Sequence, residues 1–138
     1  QSARWPTIGV RGRKRQQMIG LGIDAVSVPR FRDALERTPT LKTRVFTANE
    51  LDSLATRKDL APGLAARFAV REATMKALGV GLGAFDLQDV SIRSRDSGAP
   101  ELVVTGRAAQ IASQQGVTSW HVSLSHTHDM AVAVVASH

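Results

Sequence analysis

Arg67-Phe68-Ala69-Val70-Arg71-Glu72-Ala73-Thr74-Met75-Lys76-Ala77-Leu78-Gly79 reads as the second part of one long helix that runs into glycines. Pro62 suits its first turn, where a missing amide hydrogen is no loss. The helix continues to about Leu78, with Leu64, Ala65, Phe68, Met75 and Leu78 as its core contacts. Gly79, Gly81 and Gly83 then break it. Its polar groups are one acid, Glu72, the guanidinium groups of Arg67 and Arg71, and Lys76. Glu72 and Lys76 are four apart and share a face, which alone describes a surface ion pair contributing a few tenths of a kcal/mol. Arg67 and Arg71, also four apart, read by themselves as a solvated basic strip.

Upstream, Met18 to Val28 (MIGLGIDAVSV) is apolar and β-branched and reads as a buried strand ending near Asp24. An acid closing so apolar a run either caps a turn or is held by a partner, because a buried charge needs pairing or a metal. Carboxylates are hard oxygen ligands, and two of them with water and phosphate oxygens suit Mg2+. Pro29 begins a short helix carrying Phe31, Ala34 and Leu35, with Arg30, Arg32 and Arg37 on its other side. Thr47-Ala48-Asn49-Glu50 is a capping box that starts a helix through Leu51, Leu54 and Ala55.

Downstream, Val90 to Arg95 alternates, Asp96-Ser97-Gly98 turns, and Glu101 to Thr105 returns as a hairpin partner. Gly106 to Gly116 is an Ala-rich helix. Trp120–Ser125 and Met130–Ala136 are two further strands around the turn at His126–Asp129. This order predicts an α+β fold, a mainly antiparallel sheet packed with one long and several short helices.

The chain of 138 residues has the length of a single domain, expected over 18–138. Its net charge of +6 is concentrated. Arg4, Arg11, Arg13, Lys14 and Arg15 stand in an arm over 1–17 with no acid, leaving 13 basic residues against 12 acidic ones in the remainder. The arm is expected to be disordered, with Met18 at the start of the folded unit. A near-neutral remainder and 4% aromatic residues weigh against nucleic-acid binding. No apolar run approaches the roughly 20 residues of a membrane helix. With no cysteine there are neither disulfides nor thiolate metal sites, which is compatible with a cytoplasmic location.

His126 lies in Ser123-Leu124-Ser125-His126-Thr127-His128. A histidine at a strand end is ordinarily structural, and two histidines at i and i+2 lack a third ligand for zinc. A hydroxyl-rich turn with an imidazole can also donate hydrogen bonds to phosphate oxygens. The glycines after the long helix match no Walker or dinucleotide fingerprint.

Together these segments resemble the holo-acyl-carrier-protein synthases, the small bacterial class of 4'-phosphopantetheinyl transferases. The matching pieces are Ile19-Gly-Leu-Gly-Ile-Asp24, Arg44-Val-Phe-Thr-Ala-Asn-Glu50, Leu64-Ala-Ala-Arg-Phe-Ala-Val-Arg-Glu-Ala73 with Lys76-Ala-Leu-Gly79, Gly98-Ala-Pro100, and His121-Val-Ser-Leu-Ser-His126. They stand in the family's order over roughly 18–137.

The resemblance implies Mg2+-dependent transfer of 4'-phosphopantetheine from coenzyme A to a serine of apo-acyl carrier protein. Adenosine 3',5'-bisphosphate would be released by a homotrimer with active sites between protomers. By position, Asp24 and Glu72 would hold Mg2+, Lys76 would contact phosphate, and His126 would reach the pyrophosphate from a neighbouring protomer. Arg44, Arg67 and Gly79 would belong to the coenzyme A site, and the serine's base would be Glu72 or a metal-ordered water. Two departures stand out. Arg71 replaces the family's usual lysine, a planar fork in place of a point charge, and Val26 supplies no extra carboxylate. Acidic carrier proteins would dock on Arg30, Arg32 and Arg37. The competing readings are a non-catalytic carrier-binding module of the same fold and a nucleic-acid-binding protein led by the arm.

Overall fold

Helix α4 (Ala61–Leu78) is the axis of the molecule, and nearly every side of it is covered. The computed structural model describes residues 17–138. The arm expected to be disordered therefore lies outside the described residues, apart from Gln17. Before α4 come β1 (Gly20–Ser27), α1 (Val28–Arg37), α2 (Leu41–Val45) and α3 (Ala48–Leu54). After it come a 3-10 turn (Leu87–Asp89), β2 (Val90–Ser94), β3 (Pro100–Val104), α5 (Gly106–Gln114), β4 (Trp120–His126) and β5 (Met130–Ser137).

The fold is α+β with antiparallel pairing throughout, as expected, but the strands form two sheets. One is three-stranded in the order β1-β5-β4, and the other is the β2-β3 hairpin. Helix α2 was not foreseen, because five residues carry too little periodicity to read. The other elements follow from local chemistry. Ser27 caps α1, accepting from the Arg30 amide at 3.3 Å, with Pro29 in the first turn. Thr47 and Glu50 close the predicted capping box reciprocally. Gly79 ends α4 in the left-handed region at φ 68°, where a side chain is disfavoured.

The sheet packs on α4 through small residues. Gly20, Gly22 and Asp24 of β1 register with Ser137, Val135 and Ala133 of β5, so these positions share the inner face. Opposite them α4 presents Ala69, Ala73 and Ala77, all buried. One core lies between the sheet, α4, α5 and the hairpin, around Val70, Met75, Val90 and Val135. The second joins α1, α2, α3 and the start of α4 through Phe31, Phe46, Leu54 and Leu64. Each fully buried Leu or Val there contributes about 1.5–3 kcal/mol.

The strand read as buried and ending at Asp24 differs in two ways. It runs on to Ser27, and only one face is covered. Leu21 and Ile23 are 59% and 66% exposed, and with Met130, Val132 and Val134 they make a continuous apolar outer face. An apolar run records both faces of a strand, whether a core or another chain covers them. No helix among the described residues is long and apolar enough to cross a membrane.

Candidate active site

Asp24 reaches the inner face because it is even-spaced from Gly22 along β1, and that face looks onto α4. Lys76 meets it there. The ammonium donates to Asp24 Oδ1 at 3.2 Å and to the Ile23 carbonyl at 2.9 Å. The lysine read from sequence as Glu72's partner therefore belongs to Asp24, and no Glu72–Lys76 ion pair occurs among the described residues. The pair is lopsided: the Asp24 side chain is 18% exposed and that of Lys76 is 55% exposed. The Lys76 head therefore remains open to solvent.

Glu72, one turn before Lys76, lines the same concavity as Asp24. Burial raises its carboxyl pKa above the ordinary glutamate value, the Asp24 charge raises it further, and Lys76 lowers it. Two carboxylates facing one concavity, with one cation beside them, form an electron-rich oxygen pair suited to a hard divalent cation. No group of three or more His, Cys, Asp or Glu side chains gathers here or elsewhere among the described residues. Waters and substrate oxygens would then have to complete a cation's shell.

The concavity, of about 470 Å³, leaves the two acids along a mostly apolar floor of Phe31, Ala34, Leu41 and Phe68, with Arg30 at its side. Arg67 and His126 do not line it. They share a second hollow of about 260 Å³ with Arg57, Ser94, Gly98, Pro100 and Ser125. Arg44 faces a third, with Asp86, Leu87 and Gln88. Gly79 is exposed, with nothing near enough to meet an added Cβ. Within one chain the structure thus joins Asp24, Glu72 and Lys76 and separately joins Arg67 with His126. Arg57 was missed in the sequence reading, where it sits in a loop with no pattern; only the fold brings it beside Arg67.

Arg71 corrects the reading of a solvated basic strip. It is fully buried and forks onto Glu50, at 2.6 Å from Nη2 to Oε1 and 3.0 Å from Nη1 to Oε2. Its Nε donates to the Leu87 carbonyl at 2.8 Å, and its guanidinium lies 4.9 Å from the Phe46 ring centroid. Glu50 also accepts from the Thr47 amide at 3.0 Å and the Ile92 amide at 3.2 Å. The capping acid of α3 is therefore the hub that ties α3, α4 and β2 together.

Comparison with known proteins decides the family. Residues 20–135 match the model of the 4'-phosphopantetheinyl transferase superfamily. The chain belongs to that superfamily. Among its relatives is a holo-[acyl-carrier-protein] synthase of Streptomyces avermitilis, 47% identical over 120 residues, 87% of this chain and 97% of that one. A Moorella thermoacetica protein of the same name is 43% identical over 85% of this chain and 91% of its own length. The Neisseria meningitidis holo-[acyl-carrier-protein] synthase structure superposes with a TM-score of 0.80 at 27% identity, covering 88% of this chain and 99% of that one. The Helicobacter pylori enzyme in complex with coenzyme A does so at 0.74 and 27%, covering 86% and 99%.

In this transferase the three arginines of α1 do not form one docking row. Arg30, Ala34 and Arg37 share one helical strip, of which Arg30 and Ala34 line the apolar concavity. Arg32 points elsewhere and is bound to Asp59 at 2.5 Å. Alternate charges in the sequence concealed that division.

Proposed function

We propose that this chain transfers the 4'-phosphopantetheine group from coenzyme A to a serine of apo-acyl carrier protein, releasing adenosine 3',5'-bisphosphate. The observation that carries the residue assignment is that Asp24 and Glu72 line one apolar concavity and Lys76 is bonded to Asp24, within a chain of this superfamily. In the reaction the serine oxygen bonds to the phosphorus that carries pantetheine. The bond from that phosphorus to the adenosine bisphosphate oxygen breaks, and the serine proton is lost.

Asp24 and Glu72 would hold Mg2+, since hard carboxylate oxygens and a Glu72 carboxyl whose pKa is raised by burial and then by the Asp24 charge fit such an ion. When bound, the ion supplies Lewis-acid stabilisation of charge on phosphoryl oxygens. Lys76, anchored on β1 but solvent-open, adds a second positive charge for the pyrophosphate. Arg67 and His126 contact coenzyme A phosphates in the second hollow, and Arg44 and Gly79 border the nucleotide. Arg30 and Arg37 steer the acidic carrier, whose helix lies along the floor of Phe31, Ala34 and Leu41.

Residues of the site fall in separate hollows of one chain, and the outer face of β1 and β5 is apolar. Both features support a homotrimer whose active sites are shared between protomers, with His126 supplied across the interface. Monomers rarely expose so continuous an apolar face. The setting is cytoplasmic acyl-chain assembly, with fatty acid biosynthesis as the expected pathway class. Residues 18–138 act as its one domain. The test is release of adenosine 3',5'-bisphosphate in proportion to carrier modified. Release with no carrier modification, or none at all with Mg2+ present, would refute the assignment.

A further inference from the structure

Arg67 and Arg71 stand one turn apart on α4 and fold back along it in the same way. Arg67 Nη1 donates to the Gly63 carbonyl at 3.1 Å, and Arg71 Nη1 donates to the Arg67 carbonyl at 3.2 Å. Beyond that shared posture their surroundings differ. Arg71 takes both oxygens of Glu50. Those oxygens also accept from Thr47 and Ile92, so the carboxylate is saturated. Arg67 forms no ion pair among the described residues, and its buried Nε has no hydrogen-bond partner. Burial lowers its pKa and the Glu50 charge raises it, which places Glu50 within electrostatic reach of Arg67.

We infer that the buried Glu50–Arg71 pair positions Arg67. Arg71 saturates the buried carboxylate that would otherwise capture the Arg67 guanidinium, and so leaves that guanidinium to meet a phosphate of coenzyme A in the hollow shared with Ser94 and His126. The inference rests on the reading of Arg67 as a phosphate contact. Its physical basis is competition. A buried carboxylate stripped of its cation is strongly destabilised and recruits the next one within reach. Arg67, one turn away on the same helix, is that cation. Arg71 is thus a positioning residue that never touches substrate.

The test is a set of coenzyme A dissociation constants, measured by titration calorimetry on variants whose folding is checked by circular dichroism. Arg67→Ala in the otherwise unchanged chain should weaken binding about tenfold or more, the scale of one charge-assisted hydrogen bond. In an Arg71→Met background the same Arg67→Ala change should matter less than about twofold, because Glu50 has already withdrawn the guanidinium. Adding Glu50→Gln to Arg71→Met should bring back the Arg67 dependence. A merely structural pair would lower stability in each background yet leave the Arg67 increment unchanged, and that result overturns the inference. Should Arg71→Met not fold, Arg71→Lys keeps a cation on Glu50 and must retain the full Arg67 dependence; its loss there also overturns the inference. If Arg67→Ala is silent in the otherwise unchanged chain, the phosphate reading itself fails, and the inference falls with it.

Discussion

Gly22 of β1 lies so close to Ala73 of α4 that a Cβ at position 22 would stand 1.8 Å from the Ala73 carbonyl oxygen. Gly22 is two residues before Asp24, and Ala73 directly follows Glu72. The contact therefore sets how near the two carboxylates can come. Gly20 repeats the arrangement one pleat earlier, 2.0 Å from the Ala77 carbonyl.

Gly22→Ala should force strand and helix apart, since the obstructing atoms, the Ala73 carbonyl group and the Ala77 amide nitrogen, are all backbone. A stability loss of at least about 2 kcal/mol in denaturant titration is expected, together with loss of metal-dependent activity. Gly81→Ala, with open space around it, is the control and should change stability by less than about 0.5 kcal/mol. An unperturbed Gly22→Ala protein would contradict the packing.

Asp24→Ala and Glu72→Ala should each lower transferase turnover by at least about a hundredfold while the oligomer persists in sedimentation. Full activity in either variant would remove that residue from the site.

Glu72 also predicts a pH effect in metal-free protein. Its folded pKa is raised, so the folded state holds the proton more tightly than the unfolded state. Below the unfolded value both states are protonated and nothing is lost. As pH rises from there through the raised folded value, this group reduces stability. Melting temperatures of the unsubstituted protein and Glu72→Gln should therefore diverge across that window in the substituted protein's favour. Mg2+ should stabilise the unsubstituted protein more above the window than below it. Parallel pH profiles would contradict the raised value.

The core and its helices were legible in the sequence because capping residues and apolar spacing act locally. Thr47 with Glu50, Pro29, Pro62 and Gly79 all mark the ends they were expected to mark. The pairing of charges was less legible. Helical spacing put Lys76 with Glu72 and put Arg71 in solvent, whereas the fold gives Lys76 to Asp24 and Arg71 to Glu50, 52 and 21 residues away. Spacing identifies neighbours along one helix and is silent about a strand or capping turn brought against it. Strand burial was ambiguous for a related reason, since Leu21 and Ile23 are as apolar as core residues yet face outward.

That outward face predicts an assembly. Ile23→Asp with Val134→Asp should yield monomers in analytical ultracentrifugation and abolish activity while leaving the secondary structure intact. If catalysis is shared between protomers, mixing inactive Glu72→Ala and His126→Ala chains through a dissociation cycle should recover activity. No recovery would place both residues in a single-chain site.

Arg30→Glu should raise KM for the carrier about tenfold or more with little change in kcat, while Arg32→Glu, occupied by Asp59, should change it less than about threefold. Equal effects would restore the single basic row.

The transfer itself is tested most directly by intact-mass measurement of an apo-acyl carrier protein incubated with this chain, coenzyme A and Mg2+. The carrier should gain the mass of one phosphopantetheine on its acceptor serine, and the Asp24→Ala protein should leave it unchanged. No mass gain across fatty-acid and polyketide carriers, with folded enzyme and metal present, would contradict the function assigned here.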